Sequence, residues 1–454
     1  MSAFSPTTAL LTDRYELTML QAALAAGTAH RKSVFEVFTR RLPAGRRYGV
    51  FAGVGRVLDA VKNFRFDDAE LRYLHDNGVV DQPTLDYLAD YKFEGNIYGY
   101  AEGEVFFPGS PLLVVEADFA QGVLLETVIL SILNYDSAVA SAASRMTSAA
   151  GSRPCLEMGG RRAHEQAAVA AARASIVAGF TGTSNLEAGR QYGIPTIGTA
   201  AHAFTLLHDS EEEAFAAQIE AYGTQTTLLV DTYDIPEGVR RAINAAGTDL
   251  DSVRLDSGDL GVVAREVREQ LDALGAAGTK IVVSSDLDEY AIAALAVAPV
   301  DSYGVGTSVV TGSGAPTASM VYKLVLREGA SGEMESVEKA SSSKASVGGR
   351  KTAARRLDAS GRASEELVIA GADASFDLAA WATGTIDPTE DDDAELRPLH
   401  VPLIVEGEID AQYAGAGGVT LAASRHHASR GELGPAARRL SSGDPAIPTT
   451  HVQV

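Results

Sequence analysis

Residues 253–286 read VRLDSGDLGVVAREVREQLDALGAAGTKIVVSSD, and this stretch decides the fold. It opens with a short strand-like segment, Val253–Asp259, whose first residues include Val253 and Leu255 and whose end is polar. Leu260–Leu274 then has the apolar spacing of a helix, and Ile281–Asp286 is a second apolar run with a polar end. A strand, a helix and another strand in this order predict a βα unit in a parallel sheet.

The same rhythm extends over residues 136–330, with a repeat of about 20 to 30 residues. The predicted strand ends are Cys155–Arg161, Ile176–Asn185, Thr196–His202, Thr227–Asp234, Val253–Asp259, Ile281–Asp286 and Ser302–Val309. A closed eight-stranded barrel would need one more strand than these. The sequence therefore predicts an α/β fold with an incomplete, atypical parallel barrel.

The chain on either side of this region has a different character. Residues 1–135 mix short alternating strands such as Val34–Thr39 with helical stretches, which predicts a mixed α+β domain. Residues 331–454 are expected to form a C-terminal extension that packs partly on the N-terminal domain. This extension is expected to contain a Ser/Gly/Lys-rich loop over residues 340–351 and a loosely ordered tail after about residue 428, with His426 and His427 at the surface.

Composition restricts the classes of partner. The chain of 454 residues has a formal net charge of −22, so it should repel nucleic acid and anionic membranes. It has no apolar run near the roughly 18 residues of a membrane span, so no membrane span is expected, and residues 1–20 lack the pattern expected of a signal peptide. A single cysteine, Cys155, excludes an internal disulfide and favours the cytoplasm. Any positive charge for an anionic substrate must therefore be local.

The polar clusters predict where such a site lies. The carboxyl ends of the strands in a parallel barrel converge on one face, which carries the active site. The side chains placed there are Arg161, Thr199, His202, Asp231, Arg254, Asp256, Asp259, Ser285, Asp286, Gly306 and Thr307.

Two residue types at this face could carry chemistry. His202 could transfer a proton or act as a covalent nucleophile, although a histidine in this position could also be an ordinary loop residue. Arg161 and Arg254 could bind a carboxylate or phosphate. Arg254 could equally pair with Asp256, which lies on the same face of the strand.

The remaining clusters leave several interpretations open. The motif YGVGT at 303–307 and the residue after it could cradle a phosphate, with Gly304, Gly306, Thr307 and Ser308 as the candidates, or could be a simple turn. Asp231, Asp234, Asp256 and Asp259 could hold Mg²⁺ through water, bind ribose hydroxyls or include a catalytic carboxylate pair. Asp259 could instead cap the following helix. The sequence has no Walker A loop for ATP.

Several ordered motifs resemble the nicotinate phosphoribosyltransferase family over roughly residues 8–325. They are LTDRYELTM at 11–19, FTRRLP at 38–43, FAG at 51–53, EMGGRR at 157–162, TSN at 183–185, GTAAH at 198–202, VRLDSGDL at 253–260 and YGVGT at 303–307. The resemblance departs from the family pattern mainly after about residue 325.

The resemblance implies a type II phosphoribosyltransferase fold and an ATP-coupled ligase or glycosyltransferase. This activity transfers phosphoribose from phosphoribosyl pyrophosphate to nicotinate, giving nicotinate mononucleotide and pyrophosphate in the first step of NAD synthesis from nicotinate. Mg²⁺ is the implied cofactor and ATP a co-substrate. The implied assembly is a homodimer with shared active sites.

The resemblance also assigns roles to individual positions. Tyr15, Thr199 and Arg254 are implied to bind nicotinate, and His202 is implied to be phosphorylated. Thr307 is implied to contact a phosphate of phosphoribosyl pyrophosphate. The full set of expected site residues is: catalytic His202, Arg254 and Asp256; substrate-binding Tyr15, Arg161, Thr199, Arg254, Ser285, Gly306 and Thr307; and metal-binding Asp256 and Asp259 through water.

Three rival functions remain open from the sequence. A nicotinamide or quinolinate phosphoribosyltransferase would differ in the number of substrate carboxylates that Arg254 must meet. An aldolase-like barrel would need a lysine at a strand end, whereas Lys280 lies at a strand start. A non-catalytic phosphate-binding protein would leave His202 unphosphorylated.

Overall fold

The computed structural model describes residues 7–339, 347–371 and 395–453. The chain divides into two compact units, one formed by Met1–Ala138 with Thr317–Val454 and the other by Val139–Pro316. The predicted loop over residues 340–351 lies largely outside the described residues, which resume at residue 347.

The first unit begins with a mixed α+β segment, as its alternating and helical patterns predict. Its elements are α1 (Arg14–Ala25), β1 (Lys32–Thr39), β2 (Gly49–Val50), α2 (Val54–Lys62), α3 (Asp68–Asp76), α4 (Gln82–Ala89), β3 (Asn96–Tyr100), β4 (Val105–Phe106), β5 (Leu113–Asp118), α5 (Phe119–Val123) and the start of α6 (Glu126–Ala150). Local sequence sets some of these bounds. Asp67 accepts from the Glu70 amide while Glu70 accepts from the Asp67 amide, and this capping box starts α3.

The second unit alternates strands and helices. Its elements are β6 (Cys155–Glu157), the 3₁₀ turn Gly160–Arg162, α7 (Glu165–Val177), β7 (Gly182–Thr183), α8 (Leu186–Tyr192), α9 (His202–Leu207), α10 (Glu211–Tyr222), β8 (Thr227–Leu229), α11 (Ile235–Ala246), β9 (Ser252–Leu255), α12 (Leu260–Ala273), β10 (Lys280–Ser285), α13 (Glu289–Ala294), the 3₁₀ turn Leu295–Val297, β11 (Ser302–Val305) and α14 (Thr307–Val310).

The strands of the second unit form an incomplete parallel barrel. The sheet order is β7, β6, β11, β10, β9, β8, and its pairs are parallel. The predicted strand at Thr196 is reduced to a single parallel bridge with Thr183 beyond β7. The sheet therefore ends at β8 on one edge and at this bridge on the other, which confirms the predicted fold class.

The chain then returns to the first unit. Its later elements are β12 (Met320–Glu328), β13 (Met334–Ser336), β14 (Arg350–Leu357), β15 (Ala363–Gly371), β16 (Glu395–Pro398), β17 (His400–Val405), β18 (Glu408–Ile409), the 3₁₀ turn Ala411–Tyr413, α15 (Gly415–Glu432), the 3₁₀ turn Pro435–Arg438 and β19 (Thr449–Gln453).

The first unit is held together by strands from both ends of the chain. Its larger sheet has the order β13, β12, β1, β5, β3, β17, β18, and a second sheet has the order β16, β14, β15, β19. Antiparallel pairing of β12 with β1 and of β17 with β3 joins the C-terminal segment to the N-terminal one. The described residues after 331 thus lie in the same compact unit as residues 7–138.

The end of the chain also differs from the loosely ordered tail expected after residue 428. Helix α15 continues to Glu432, and β19 pairs in parallel with β15 from Glu366 to Ala370. His426 is 1% exposed, because α15 buries it against the Gly103 carbonyl oxygen, which lies 3.2 Å from its Nδ1. The low apolar content of this segment did not reveal these packing partners.

Among residues 7–339, 347–371 and 395–453, no helix combines the length and apolar character that a membrane crossing requires.

Candidate active site

The carboxyl ends of the barrel strands gather most of the predicted site residues of the second unit. One cavity of about 180 Å³ lies over β6, β9, β10 and β11. Its lining residues are Met158, Arg161, Arg162, Arg254, Asp256, Ser284, Ser285, Asp286, Gly304, Gly306 and Thr307. The cavity therefore brings Arg161, Ser285, Gly306 and Thr307 together with Arg254 and Asp256, as the strand ends predict.

Arg254 lies at the centre of a network of polar contacts. Its Nε donates to Ser284 Oγ at 2.7 Å, and its Nη1 donates to Thr199 Oγ1 at 3.1 Å. Its Nη2 lies 3.4 Å from Asp256 Oδ1, and Asp256 Oδ1 also accepts from Ser284 Oγ at 2.7 Å. Arg254 therefore pairs with Asp256, as one of the two interpretations predicts, and its guanidinium also contacts Thr199.

His202 is the first residue of α9 and is 42% exposed in its side chain. Its Nδ1 lies 3.2 Å from Thr232 Oγ1, and its Nε2 lies 4.0 Å from Asp231 Oδ1. The ring is therefore open to solvent while a carboxylate lies behind it. A carboxylate that faces one ring nitrogen favours the neutral tautomer with its proton on that nitrogen.

Asp231 is the buried support of this histidine. Its side chain is 0% exposed, and its Oδ2 accepts from the Asp256 amide at 2.8 Å and from Ser257 Oγ at 2.7 Å. Its Oδ1, on the side of His202, has no hydrogen-bond partner among the described residues. Asp231 thus connects the histidine to the loop that carries Asp256.

Asp231 belongs with the strand-end carboxylates of the sequence but is absent from the expected set of site residues. Ser284 and Thr232 are absent from that set as well. A signal for Asp231 was available, since it follows an apolar strand as Asp256 does. Sequence alone could not show that the Asp256 carboxylate lines a cavity whereas the Asp231 carboxylate lies beneath His202.

The loops after β6 and β11 lie against each other. A β-carbon at Gly159 would come within 2.3 Å of Val310 Cγ1 and 2.7 Å of the Gly306 carbonyl oxygen. Only glycine fits there, so the Arg161 turn can approach the Gly306–Thr307 loop closely. Thr307 begins the short helix α14 and is exposed. Arginine side chains and this loop together suit a phosphate-bearing ligand.

A larger cavity of about 820 Å³ adjoins Thr199. It is lined by the segment Thr196–Ala201, by side chains of β6 and β10 and by residues at the start of β8. In a closed barrel, packed side chains would fill this volume. Residues from both edges of the sheet, at the Thr196 bridge and at the start of β8, line this cavity, so the open side of the barrel borders Thr199.

Asp259 has a structural task. Its side chain accepts from the Val262 amide at 3.2 Å and caps the N-terminus of α12. In the part of the chain that the structure describes, no group of three or more His, Cys, Asp or Glu side chains is arranged to hold a metal ion.

Tyr15 lies in the first unit, on α1, and is 45% exposed. Partial burial, with the Glu126 carboxylate nearby, raises the pKa of its phenol to about 12. It therefore remains a neutral hydroxyl at physiological pH, with an exposed ring that can contact a ligand.

Fold and site together define a class of protein. A parallel α/β barrel that is open on one side collects arginines, a glycine-containing loop and a carboxylate-supported histidine at its carboxyl face. This is the arrangement of an enzyme for an anionic, phosphate-bearing substrate.

Comparisons with known proteins give the family. Residues 10–134 match the model of the nicotinate phosphoribosyltransferase N-terminal domain, and residues 154–360 match the model of the nicotinate phosphoribosyltransferase family. The chain is 54% identical to nicotinate phosphoribosyltransferase pncB1 of Mycobacterium tuberculosis, over 97% of this chain and 94% of that protein. It is 38% identical to the nicotinate phosphoribosyltransferase of Bacillus subtilis, over 80% and 76% of the two chains.

A solved structure agrees with the sequence relatives. The crystal structure of human nicotinic acid phosphoribosyltransferase has a TM-score of 0.81 and 26% identity to this chain, covering 98% of this chain and 97% of the human one. The chain belongs to the nicotinate phosphoribosyltransferase family, as the motifs in the sequence indicated.

Proposed function

We propose that this enzyme transfers the phosphoribosyl group of phosphoribosyl pyrophosphate to the ring nitrogen of nicotinate, and that ATP drives the transfer through phosphorylation of His202. The observation that carries the proposal is the position of Arg254, whose guanidinium reaches Thr199 while Ser284 and Asp256 hold it. An arginine fixed in this way can orient a carboxylate.

The transfer step follows from these groups. The lone pair of the pyridine nitrogen forms a bond to the anomeric carbon of ribose, and the bond from that carbon to pyrophosphate breaks. Pyrophosphate leaves with the electron pair. Arg161, Gly306 and Thr307 would bind the phosphates of the substrate, and Ser285, in the same cavity, would bind its ribosyl phosphate portion.

Mg²⁺ would neutralise the leaving pyrophosphate when bound. Asp256 fits this ion, because its carboxylate lines the cavity and only one of its oxygens is engaged by Ser284 and Arg254. One carboxylate oxygen of Asp259, Oδ1, is used to cap α12, so its other oxygen would be the one to bind the ion. Such a site, with few carboxylates and several phosphate oxygens, is typical of Mg²⁺.

Phosphorylation of His202 would use the support of Asp231. With a proton on Nε2 facing Asp231, the lone pair on Nδ1 attacks the terminal phosphorus of ATP, and the bond to ADP breaks. The phosphorylated ring adds negative charge beside the phosphate loops and would reshape the substrate site. Water then releases phosphate and returns the histidine to its free state.

We further propose a cytoplasmic homodimer in which Tyr15 of one subunit completes the barrel site of the other. The exposed Tyr15 ring, with Leu11 and Met19 also exposed on the same segment, supports this arrangement. Mixing Tyr15→Ala subunits with Arg254→Ala subunits would then restore activity, since one site of each mixed dimer is intact. If the mixture stays inactive although mixed dimers form, the sites are not shared.

The deciding experiment supplies nicotinate, phosphoribosyl pyrophosphate and Mg²⁺ to the purified protein, with and without ATP. Nicotinate mononucleotide should form, ATP should raise the rate, and His202→Ala should lose that stimulation. His208→Ala, at the other end of α9, is the matched control and should keep it. Product without any effect of ATP or His202 would refute the phosphohistidine, whereas reaction only with nicotinamide or quinolinate would refute the substrate.

A further inference from the structure

Glu157 is a buried carboxylate whose position the transfer reaction itself does not explain. It is the last residue of β6, and it is 0% exposed beneath the site. The described residues give it no ion pair with Lys, Arg or His. Burial raises the pKa of its carboxyl group. Burying a carboxyl group without a countercharge is unfavourable, so its presence indicates a specific task for its two oxygens.

One oxygen of Glu157 fixes the loop on the phosphate side. Its Oε1 accepts from the Gly159 amide. The Gly159 carbonyl then accepts from the Arg162 amide at 2.8 Å, which closes the turn that carries Arg161. Gly159 also lies directly against Gly306, because a β-carbon added at residue 159 would come within 2.7 Å of the Gly306 carbonyl oxygen. A shift of Gly159 would therefore move the Arg161 turn relative to the Gly306–Thr307 loop.

The other oxygen fixes the loop on the opposite side. Its Oε2 accepts from Thr183 Oγ1, and Thr183 Oγ1 accepts from the Asn185 amide at 3.0 Å. The backbone of Thr183 exchanges hydrogen bonds with Pro195 and Ile197, at 3.0 and 2.8 Å. Pro195 and Ile197 flank Thr196, which forms the single parallel bridge with Thr183, and the chain continues from there to Thr199 and His202.

We propose that Glu157 is a positioning residue that sets the spacing between the phosphate-binding loops and the segment leading to Thr199 and His202. It does not touch substrate, because it is fully buried. Its carboxylate suits this task, since it can accept from a backbone amide and from a hydroxyl at the same time. Glutamine has only one acceptor oxygen and would leave one of these two donors facing an amide group.

This inference rests on the proposed function, because it assigns Arg161 and Thr307 to the phosphates of phosphoribosyl pyrophosphate. Glu157→Gln should raise the KM for phosphoribosyl pyrophosphate about tenfold or more, and it should also raise the KM for nicotinate, because Thr199 belongs to the segment that Glu157 positions. Its affinity for inorganic pyrophosphate with Mg²⁺, measured by calorimetry, should fall in parallel.

Thr183 provides a second route to the same contact. Thr183→Val removes the hydroxyl at nearly constant volume and should reproduce the effect of Glu157→Gln. Thr183→Ser keeps the hydroxyl, so its KM for phosphoribosyl pyrophosphate should be close to that of the wild type. The double variant Glu157→Gln with Thr183→Val should be no worse than the single ones, since both break one network.

A matched control separates positioning from general stability. Glu289 is also buried in the second unit, where it accepts from Arg145 on α6. Glu289→Gln should lower the melting temperature and leave the KM for phosphoribosyl pyrophosphate unchanged. If Glu157→Gln and Thr183→Val likewise lower only the melting temperature, Glu157 is a structural residue and the inference is wrong.

The same set of variants distinguishes failure of the proposed reaction from failure of the positioning role of Glu157. If the wild-type protein makes no nicotinate mononucleotide, the proposed reaction is refuted, and pyrophosphate affinity alone then decides the role of Glu157. If the wild-type protein is active while Glu157→Gln has unchanged KM values and unchanged pyrophosphate affinity, only the positioning role is refuted.

Discussion

Arg254 combines observed structural contacts with a proposed role in substrate binding. Three of its contacts, to Ser284, Thr199 and Asp256, use different nitrogens of the guanidinium. A lysine ammonium could keep the charge but not this fixed planar geometry. If Arg254 binds the substrate carboxylate as proposed, its affinity for that group should depend on the shape of the guanidinium as well as on its charge.

Arg254→Lys should raise the KM for nicotinate about 30-fold, because a loss of ~2 kcal/mol is expected when charge-assisted hydrogen bonds are broken. Steady-state kinetics with each substrate varied in turn would measure it. Arg268→Lys, on α12 in an ion pair with Asp272, is the control and should behave as wild type. An increase confined to the KM for phosphoribosyl pyrophosphate would instead assign Arg254 to the phosphates.

Asp231 gives a second prediction at this scale. Asp231→Asn keeps an acceptor for Asp256 and Ser257 but removes the negative charge behind His202. Transfer of labelled phosphate from ATP to His202 should fall about tenfold or more, as loss of a charged partner typically costs ~1.5 kcal/mol or more. Asp234→Asn, in the same polar cluster but at the cap of α11, should leave labelling unchanged. Equal labelling of Asp231→Asn and wild type would contradict the support role.

At the scale of the elements, the barrel helices begin where aspartates cap them. Asp234, Asp259 and Asp288 accept from amides in the first turns of α11, α12 and α13. Each of these residues lies shortly after the end of β8, β9 or β10, so the polar segment that follows a strand also contains the start of the next helix. This explains why a polar strand-end cluster contains both site residues and purely structural ones.

Asp259→Ala should lower the free energy of unfolding by about 1 kcal/mol, which is the usual effect of losing an N-cap. Asp234→Ala should cost a similar amount, because it caps α11 in the same way. Chemical denaturation would measure both. In contrast, Asp256→Asn should raise the Mg²⁺ concentration needed for half-maximal activity. A comparable Mg²⁺ effect in Asp259→Ala would show that Asp259 contributes to the metal site beyond its cap.

At the scale of the whole molecule, the first unit depends on a buried charge cluster. Arg355 on β14 is 0% exposed, and its guanidinium donates to Glu104 at 2.7 Å and to Glu366 at 2.6 Å. Burial opposes ionisation of Glu104, but Arg355, Arg397 and Arg425 outweigh it and lower the pKa of this carboxyl to about 2. The cluster joins β14, β15, β16 and α15 to the Glu104 loop of the N-terminal segment.

Arg355→Met should lower the free energy of unfolding by about 3 to 5 kcal/mol, because it leaves two buried carboxylates without their common partner. Arg356→Met is the matched control on the same strand. It breaks only a partly exposed pair with Glu365 and should cost less than about 1 kcal/mol. Urea unfolding of both variants would measure the difference. Similar losses in the two variants would refute a special role for the cluster.

The same cluster should make the stability of the wild-type protein sensitive to acid. The pKa of Glu104 lies below its ordinary value in the folded state, so its contribution is complete above about pH 4.5 and is lost as the pH falls towards 2. The acid dependence of the urea midpoint should be weaker in Arg355→Met, because Glu104 then lacks its nearest cation.

The sequence by itself determined the alternation of strands and helices and the polar end of each strand. Both depend on residues close together in the chain, and parallel strands must bring their carboxyl ends to one face. For this reason Arg254, Asp256, Ser285 and Thr307 could be placed together, and the family motifs named the activity. The missing eighth strand was also predictable, because a strand needs its own apolar run.

Only the tertiary structure decided which of these side chains support the others. Asp231 lies behind His202, Glu157 joins two loops, and His426 is buried, and the residues next to them in the sequence do not show these particular roles. The C-terminal segment joins the N-terminal one through strand pairs between residues far apart in the chain, such as Val37 with Tyr322. Burial and hydrogen bonding between distant residues depend on how the elements pack, and a local pattern carries no record of that packing.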